Sequence, residues 1–112
     1  MSEGKKYDSG KPQVDLIPSE ALLELGKVLS FGAQKYDAGN WAKGIEFRRL
    51  IAATQRHLLY FNAGEDLDPE SGLSHISHAM CNLAFLIWHI YHRPDLDNRW
   101  IKEVLDKTPK KD

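Results

Sequence analysis

The chain has 112 residues, of which 42% are apolar and 28% charged; this is the composition of one globular domain and excludes a disordered or low-complexity protein. Fifteen basic and sixteen acidic residues give a formal net charge of -1, so no positive excess favours a nucleic acid or an anionic membrane as partner. A single cysteine, a polar N-terminus and the lack of a long apolar run predict a cytoplasmic protein without a membrane span.

The first part of the chain divides into a loop and a helix. Residues 1–18 contain two glycines and two prolines among charged residues, which predicts an extended N-terminal loop. Beyond it, Leu22, Leu25, Val28 and Leu29 recur at helical spacing, and Glu20 suits the positive end of a helix. The first helix is therefore predicted over 19–36.

The remaining elements also follow a helical period. Apolar residues at steps of three and four predict a second helix over 46–62, and a third is predicted over 70–92, between two prolines. A last short helix is predicted over 97–107, with Asp97 as its cap. The connector after the second helix is short and acidic, which favours an antiparallel pair. The sequence thus predicts an all-α single domain over 1–112, a small helical bundle built on a long antiparallel helix hairpin.

Ionisable residues cluster across this predicted hairpin and suggest a metal site. His75 and His78 are three residues apart and face the same way, and His57 on the preceding helix lies at a comparable height. Imidazole with carboxylate suits zinc, manganese or iron, whereas magnesium prefers oxygen ligands. The candidate metal ligands are His57, His75 and His78; the candidate catalytic carboxylates, as ligand or general base, are Glu65, Asp66, Asp68 and Glu70. The alternative is that the histidines lie on a solvated helix face and that Asp68 and Glu70 only provide negative charge at the start of the third helix.

Two Lys-Tyr-Asp segments, at 6–8 and 35–37, suggest nucleotide binding. Lysines beside flexible glycines can approach phosphates, and an aromatic ring can stack on a nucleobase. Neither segment is a P-loop, and both could be ordinary turns whose aromatic rings fill the edge of the core. The candidate substrate-binding residues are Lys11, Lys35, Tyr36, Asn40, Trp41, Arg56 and Asn82.

Three further polar side chains are predicted to lie outside any site. His89 and His92 are about 20 Å from His75 at the standard helical rise, so they cannot share its ion and are expected to make surface or inter-subunit contacts. Cys81 lies among apolar residues of the third helix and is expected to be a small buried thiol without a catalytic role.

Several short motifs carry a resemblance to a known family. These are KYDSGKP at 6–12, LIP at 16–18, FGAQKY at 31–36, GNW at 39–41, RH at 56–57, GE at 64–65 and DPESGL at 68–73, followed by His75 and His78. The chain resembles, over about residues 6–92, the phage-associated dATP/dGTP diphosphohydrolases. That family lies near the all-α nucleotide pyrophosphohydrolases of the MazG type, helical oligomers that split a nucleoside triphosphate into monophosphate and pyrophosphate with magnesium or manganese.

The sequence departs from the MazG pattern at the metal ligands. Those enzymes use Glu-x-x-Glu on one helix and Glu-x-x-Asp on the next, whereas this chain has Arg56 and His57 on the second helix and His75-x-x-His78 on the third. One hypothesis is therefore a purine deoxynucleoside triphosphate hydrolase with a different divalent-metal site for Mn, Mg or Zn. The other is a non-catalytic phage protein that sequesters a nucleotide or a nucleotide-derived signal.

The resemblance also bears on assembly and location. A homo-oligomer is expected, with Phe85, Trp88 and Tyr91 of the third helix offering aromatic area to a partner subunit. If the protein is phage-encoded, the cytoplasm of the host cell is the expected location. A helical scaffold whose histidines serve only as subunit contacts is a third, weaker alternative.

Overall fold

The structure, a computed structural model, describes residues 3–100. Over this range the chain forms three α helices, α1 (Ser19–Tyr36), α2 (Phe47–Asn62) and α3 (His75–His92), with short 3-10 turns at Val14–Leu16, Asn40–Lys43 and Pro94–Leu96. Extended pairing within 3–100 is limited to an isolated antiparallel bridge between Leu67 and Ser74. The prediction of a small all-α bundle is confirmed.

Helix α3 lies at the centre of the bundle and packs against both α2 and α1. The pair formed by α2 and α3 is antiparallel. Near the connector, a ring nitrogen of His57 lies 2.8 Å from a ring nitrogen of His75. At the other end of the pair, the backbone N–H of Ile45, just before α2, donates a hydrogen bond to His89 of α3. The stripe that α2 buries against α3 follows the predicted steps of three and four, with Phe47, Leu50 and Thr54 buried.

The start of α3 differs from the prediction. The helix begins at His75 rather than at residue 70, because Asp68 Oδ1 accepts hydrogen bonds from the backbone N–H groups of Glu70 (2.7 Å) and Ser71 (3.4 Å) and fixes a turn there. Ser74 then caps the helix, its hydroxyl oxygen accepting from the N–H of Ile76. The connector is therefore longer than expected and brings its acidic residues beside α3.

The C-terminal prediction is tested only at its first residues. Residues 97–99 are not helical, whereas Trp100 is, so helical structure begins three residues after the predicted start of the helix over 97–107. The N–H of Arg99 donates to Asp97 Oδ1 at 3.3 Å, so this aspartate caps a local turn. Residues 101–107 of the predicted helix lie outside the described residues.

An aromatic cluster fills the end of the bundle away from the connector. Trp41 stacks on Phe85 with ring centroids 4.7 Å apart and meets Trp88 edge-on at 4.9 Å. Phe85 and Trp88, expected to face a partner subunit, thus pack within the same chain, whereas Tyr91 is exposed. The prediction that His89 lies at the surface is wrong: the side chain is 0% exposed beneath this cluster.

None of the helices in the described range is both long and apolar enough to cross a membrane.

Candidate functional site

A cleft of about 550 Å³ opens between the end of α1, the loop after it, and the facing sides of α2 and α3. Its volume lies in the range of small-molecule sites. Ten of the fourteen residues predicted for the site line this cleft: Lys35, Tyr36, Asn40, Trp41, Arg56, His57, Asp68, Glu70, His78 and Asn82.

Three imidazole rings converge at one end of the cleft. His57 Nδ1 lies 2.8 Å from His75 Nδ1, and the His57 ring stacks almost parallel on His78, with centroids 4.8 Å apart. Their convergence follows from the antiparallel hairpin, in which the C-terminal half of α2 faces the first turn of α3. His75 is 1% exposed, whereas His57 and His78 are half-buried and face the cleft.

Asp68 brings a carboxylate to the same spot. Its Oδ1 is used by the turn that precedes α3, and its Oδ2 lies 3.9 Å from His57 Nδ1. Burial by itself would raise the pKa of Asp68, but hydrogen bonds from the Glu70 and Ser71 N–H groups and the nearby imidazoles hold it below its usual value. The residue is therefore an anion with one oxygen directed at the histidines.

The electrostatic setting favours neutral imidazoles. Burial lowers the pKa of both His57 and His78, and the neighbouring rings lower that of His57 further. A neutral imidazole has one ring nitrogen with a lone pair, which is the form that binds a metal or accepts a proton. The pair is thus prepared to act as ligand or base at neutral pH.

His78 is held by the connector. Its Nε2 lies 2.7 Å from the Ser71 hydroxyl, whose oxygen also accepts the N–H of Leu73. The edge of Phe31 from α1 packs against the same ring. With Nε2 engaged in this contact, Nδ1 is the nitrogen that His78 could offer to a metal ion or a proton.

The rim of the cleft carries an ion pair between two distant elements. Lys35, at the end of α1, pairs with Glu70 of the connector. The hydrogen bond from Lys35 to Glu70 also raises the pKa of the lysine, which stays protonated. Arg56 is exposed on the α2 wall, so two cations border the histidine end of the cleft.

The opposite end of the cleft is aromatic and is lined by Trp41 and Phe85. Two further rings line the cleft nearer the histidines, Phe31 beside His78 and Tyr36 beside Lys35. The ring of Trp41 is already stacked on Phe85, whereas Tyr36 is 54% exposed with the Lys35 ammonium 5.0 Å from its centroid. Of the two rings predicted to stack on a nucleobase, Tyr36 is therefore the more accessible.

Asn82 and Cys81 lie on the α3 wall between these ends. The Asn82 amide nitrogen donates to the His78 carbonyl at 3.1 Å, which orients the side chain along the helix. Cys81 is buried, as predicted, and burial raises its pKa to about 11, so the thiol is not a nucleophile at neutral pH.

A comparison of sequences assigns the family. A family model described as dATP/dGTP diphosphohydrolase, N-terminal, matches residues 1–99. The chain belongs to this family. It is also 40% identical over 96 residues to a protein of Salmonella phage PMBT28 named dATP/dGTP diphosphohydrolase; the match covers 86% of this chain and 33% of that relative. The chain thus spans about a third of the relative's length. No solved structure matches it.

Within this diphosphohydrolase family member, one group of donors fits a metal ion. His57, Asp68 and His75 each offer one ligand atom, and these atoms all lie within 4.8 Å of one another. Two imidazole nitrogens and one carboxylate oxygen suit manganese, iron or zinc better than magnesium. The Nδ1 atoms of His57 and His75 face each other in this group, whereas the buried Nε2 of His75 lies on the side of Glu65 and has no hydrogen-bond partner among the described residues.

Four predicted residues do not line the cleft. Lys11 lies in an exposed turn closed by its own N–H and the Asp8 carbonyl, so it is not brought to the other candidates. Asp66 contributes its backbone carbonyl, which accepts from the N–H of His75, rather than a carboxylate in the cleft. Glu65 and His75 lie just behind the cleft wall, with 3.7 Å between Glu65 Oε2 and His75 Nε2.

The sequence reasoning missed three residues that contact the imidazoles: Phe31 and Ser71, at His78, and Tyr60, at His75. The Asp-Pro-Glu-Ser-Gly run was a usable signal for Ser71, because it is typical of a turn in which a serine hydroxyl stays near the following helix. Nothing in the helical period marks Phe31 or Tyr60 as different from other apolar positions.

Proposed function

We propose that the chain binds a purine deoxynucleoside triphosphate, dGTP or dATP, in the cleft and hydrolyses it to monophosphate and pyrophosphate. The observation that carries this proposal is that one cleft combines a cluster of imidazoles and a carboxylate with aromatic side chains. The name of the 40% identical phage protein supports the substrate class.

The proposed divalent ion would be held by His57, Asp68 and His75. The close approach of the two Nδ1 atoms and the orientation of Asp68 Oδ2 toward them support this ligand set. When bound, the ion would supply Lewis acidity at the phosphate oxygens. The nitrogen donors favour Mn²⁺ or Zn²⁺ over Mg²⁺.

The remaining polar residues would bind and orient the substrate. Lys35 would leave Glu70 for a phosphate oxygen, and Arg56 would offset the charge that grows on the leaving pyrophosphate. Freed from Lys35, Glu70 would accept the proton of the water that attacks the α-phosphorus. Tyr36, which lines the cleft and is accessible, would stack on the purine.

The direct test is turnover of dGTP, dATP and dCTP with Mn²⁺, with products separated by chromatography. We expect purine deoxynucleoside monophosphate and pyrophosphate. A His57→Gln variant should lose about 100-fold or more in kcat/KM, since it removes a group at the reacting end. His92→Gln, at the exposed far end of α3, is the matched control and should keep its activity.

Two results would contradict the proposal. One is release of nucleoside diphosphate and single phosphate. The other is recovery of unchanged nucleotide after heat denaturation of a stable complex, which would show that this chain is a sequestering protein. Full activity of His57→Gln would remove the assignment of the histidine cluster even if the products were as expected.

We also propose that copies of the chain associate through an exposed face of α3. Ile76, Leu83, Ile87 and Ile90 lie on this face at helical spacings of seven, four and three, and each is 41–58% exposed. Apolar residues at such spacing are typical of a helix that packs against another helix. A second copy would cover a surface that the described part of this chain leaves open.

A further inference from the structure

Only one proton can lie between the Nδ1 atoms of His57 and His75, the two closest histidines. His57 Nδ1 and His75 Nδ1 are 2.8 Å apart, which is a hydrogen-bond distance. Two N–H groups would clash at this separation, and two lone pairs would repel. In the metal-free protein, one Nδ1 must therefore donate a hydrogen bond and the other must accept it. Which nitrogen of each ring carries the proton depends on the group that faces its Nε2.

The surroundings of His75 decide which ring accepts. Its Nε2 is buried, finds no hydrogen-bond partner among residues 3–100, and has Glu65 Oε2 at 3.7 Å. A lone pair on Nε2 would point at a carboxylate, which is unfavourable in a buried place. A proton on Nε2 would be attracted to the same carboxylate and would leave the lone pair on Nδ1.

We propose that Glu65 is a positioning residue that holds His75 in the tautomer with its proton on Nε2. The lone pair of His75 Nδ1 is thereby directed at His57 and Asp68, the spot where the proposed function requires a ligand atom. Glu65 acts through His75 and touches neither ion nor nucleotide. This role differs from that of a metal ligand or general base, which the sequence alone suggested for Glu65.

Backbone hydrogen bonds fix the positions of both Glu65 and His75. The N–H of Glu65 donates to the carbonyl of Tyr60 at 3.0 Å, and the N–H of His75 donates to the carbonyl of Asp66 at 3.0 Å. The Tyr60 ring covers His75, with centroids 5.4 Å apart. The Glu65 carboxylate therefore stays beside His75 Nε2, at 3.7 Å, which is within the reach of an ion-pair contact but longer than a hydrogen bond.

Of the two rings, His57 is the more accessible to solvent. Its side chain is 18% exposed, whereas that of His75 is 2% exposed. In the metal-free protein, the Nδ1–H of His57 donates to Nδ1 of His75. To offer an Nδ1 lone pair to a cation, His57 would have to carry its proton on Nε2, whereas His75 would keep the tautomer it already has.

The tautomer can be measured without metal or nucleotide. In ¹⁵N NMR of the full chain treated with a chelator, we expect His75 to carry its proton on Nε2 and an unprotonated Nδ1. Glu65→Leu should abolish this preference, whereas Glu65→Gln should retain most of it, because the amide oxygen can still accept a hydrogen bond from the Nε2–H of His75. Asp66→Asn is the matched control at the neighbouring position and should not change the spectrum of His75.

A second measurement tests how Glu65 affects the metal affinity of the group formed by His57, Asp68 and His75. In titrations with Co²⁺, followed by its visible spectrum, Glu65→Leu should lower the affinity about 10- to 100-fold, with Glu65→Gln between that variant and the natural chain. Circular dichroism would verify that the helices are retained.

The proposal is overturned if the natural chain carries the His75 proton on Nδ1, or if Glu65→Leu leaves both the tautomer and the Co²⁺ affinity unchanged. A failure of the proposed function is a separate result. A chain that does not cleave dGTP but shows the Nε2 tautomer contradicts the hydrolase assignment and leaves the role of Glu65 standing.

Discussion

Gly44, in the loop before α2, illustrates how a single residue fixes the position of the chain. Its φ of +115° lies in the region that favours glycine. A Cβ at this position would lie 2.7 Å from Arg93 Nη1 and 2.9 Å from Leu96 Cδ1. Both atoms are the ends of flexible side chains, so the backbone conformation at residue 44 is the stronger reason for glycine at this position.

Substitution of this glycine is expected to destabilise the protein. Gly44→Ala strains the backbone and displaces the ends of two side chains, and we expect a loss of about 1–3 kcal/mol in the free energy of unfolding. Gly26→Ala is the matched control: residue 26 lies inside α1 with open space around its Cβ position, so the change should stabilise by about 0.5–1 kcal/mol. Urea denaturation of both variants checks the two signs, and equal effects would contradict this account.

At the scale of elements, His89 joins the loop before α2 to α3. Its Nε2 accepts the backbone N–H of Ile45 at 3.0 Å, and its Nδ1 donates to the Phe85 carbonyl at 2.7 Å. Both ring nitrogens are thus used, which fixes a neutral tautomer. The contact places the loop that carries Asn40 and Trp41, and with it one wall of the cleft.

Loss of this imidazole is expected to weaken the whole bundle. His89→Leu has a similar volume but leaves the Ile45 N–H without its acceptor, and we expect a loss of about 1–3 kcal/mol in stability. His92→Leu, one turn further along α3 and exposed, should change stability by less than about 0.5 kcal/mol. Thermal unfolding of the two variants provides the measurement. A His89→Leu protein as stable as His92→Leu would show that the contact is unimportant.

The start of α3 is a second property of elements that bears on the site. Because the helix begins at His75, the connector keeps five more residues than expected, and these place Asp68, Glu70 and Ser71 around the imidazoles. A helix begun at residue 70 would have placed Glu70 and Ser71 in its own first turn. The turn that Asp68 forms through its side chain is therefore part of how the site is built.

At the scale of the whole molecule, the apolar face of α3 predicts self-association. Ile87→Glu introduces a charge at the centre of this face and should shift the protein toward a smaller species, because an interface does not tolerate an unpaired charge. Gln55→Glu adds the same charge at an exposed position of α2 and is the control. Analytical ultracentrifugation at several concentrations measures the change. A natural chain that sediments as a monomer at all concentrations would contradict the proposal.

Helical periodicity was sufficient to define the architecture. The steps of three and four predicted α1 and α2 closely, and the short connector predicted the antiparallel hairpin that brings His57 to His75. The approach of the imidazoles could be inferred because their height on two adjacent helices follows from counting residues away from a turn. The family could likewise be inferred from short motifs spread over most of the chain.

Only the tertiary structure decided which polar groups face one another. Periodicity assigns a side chain to a face, but it does not say that the Ile45 N–H needs His89 as acceptor, or that Asp68 uses one oxygen for a turn and directs the other at His57. Such pairings depend on hydrogen-bond donors in loops, whose paths are not periodic. The sequence thus determined the helices and their order, whereas contacts between loops and helices determined the buried histidine, the start of α3 and the position of Glu65.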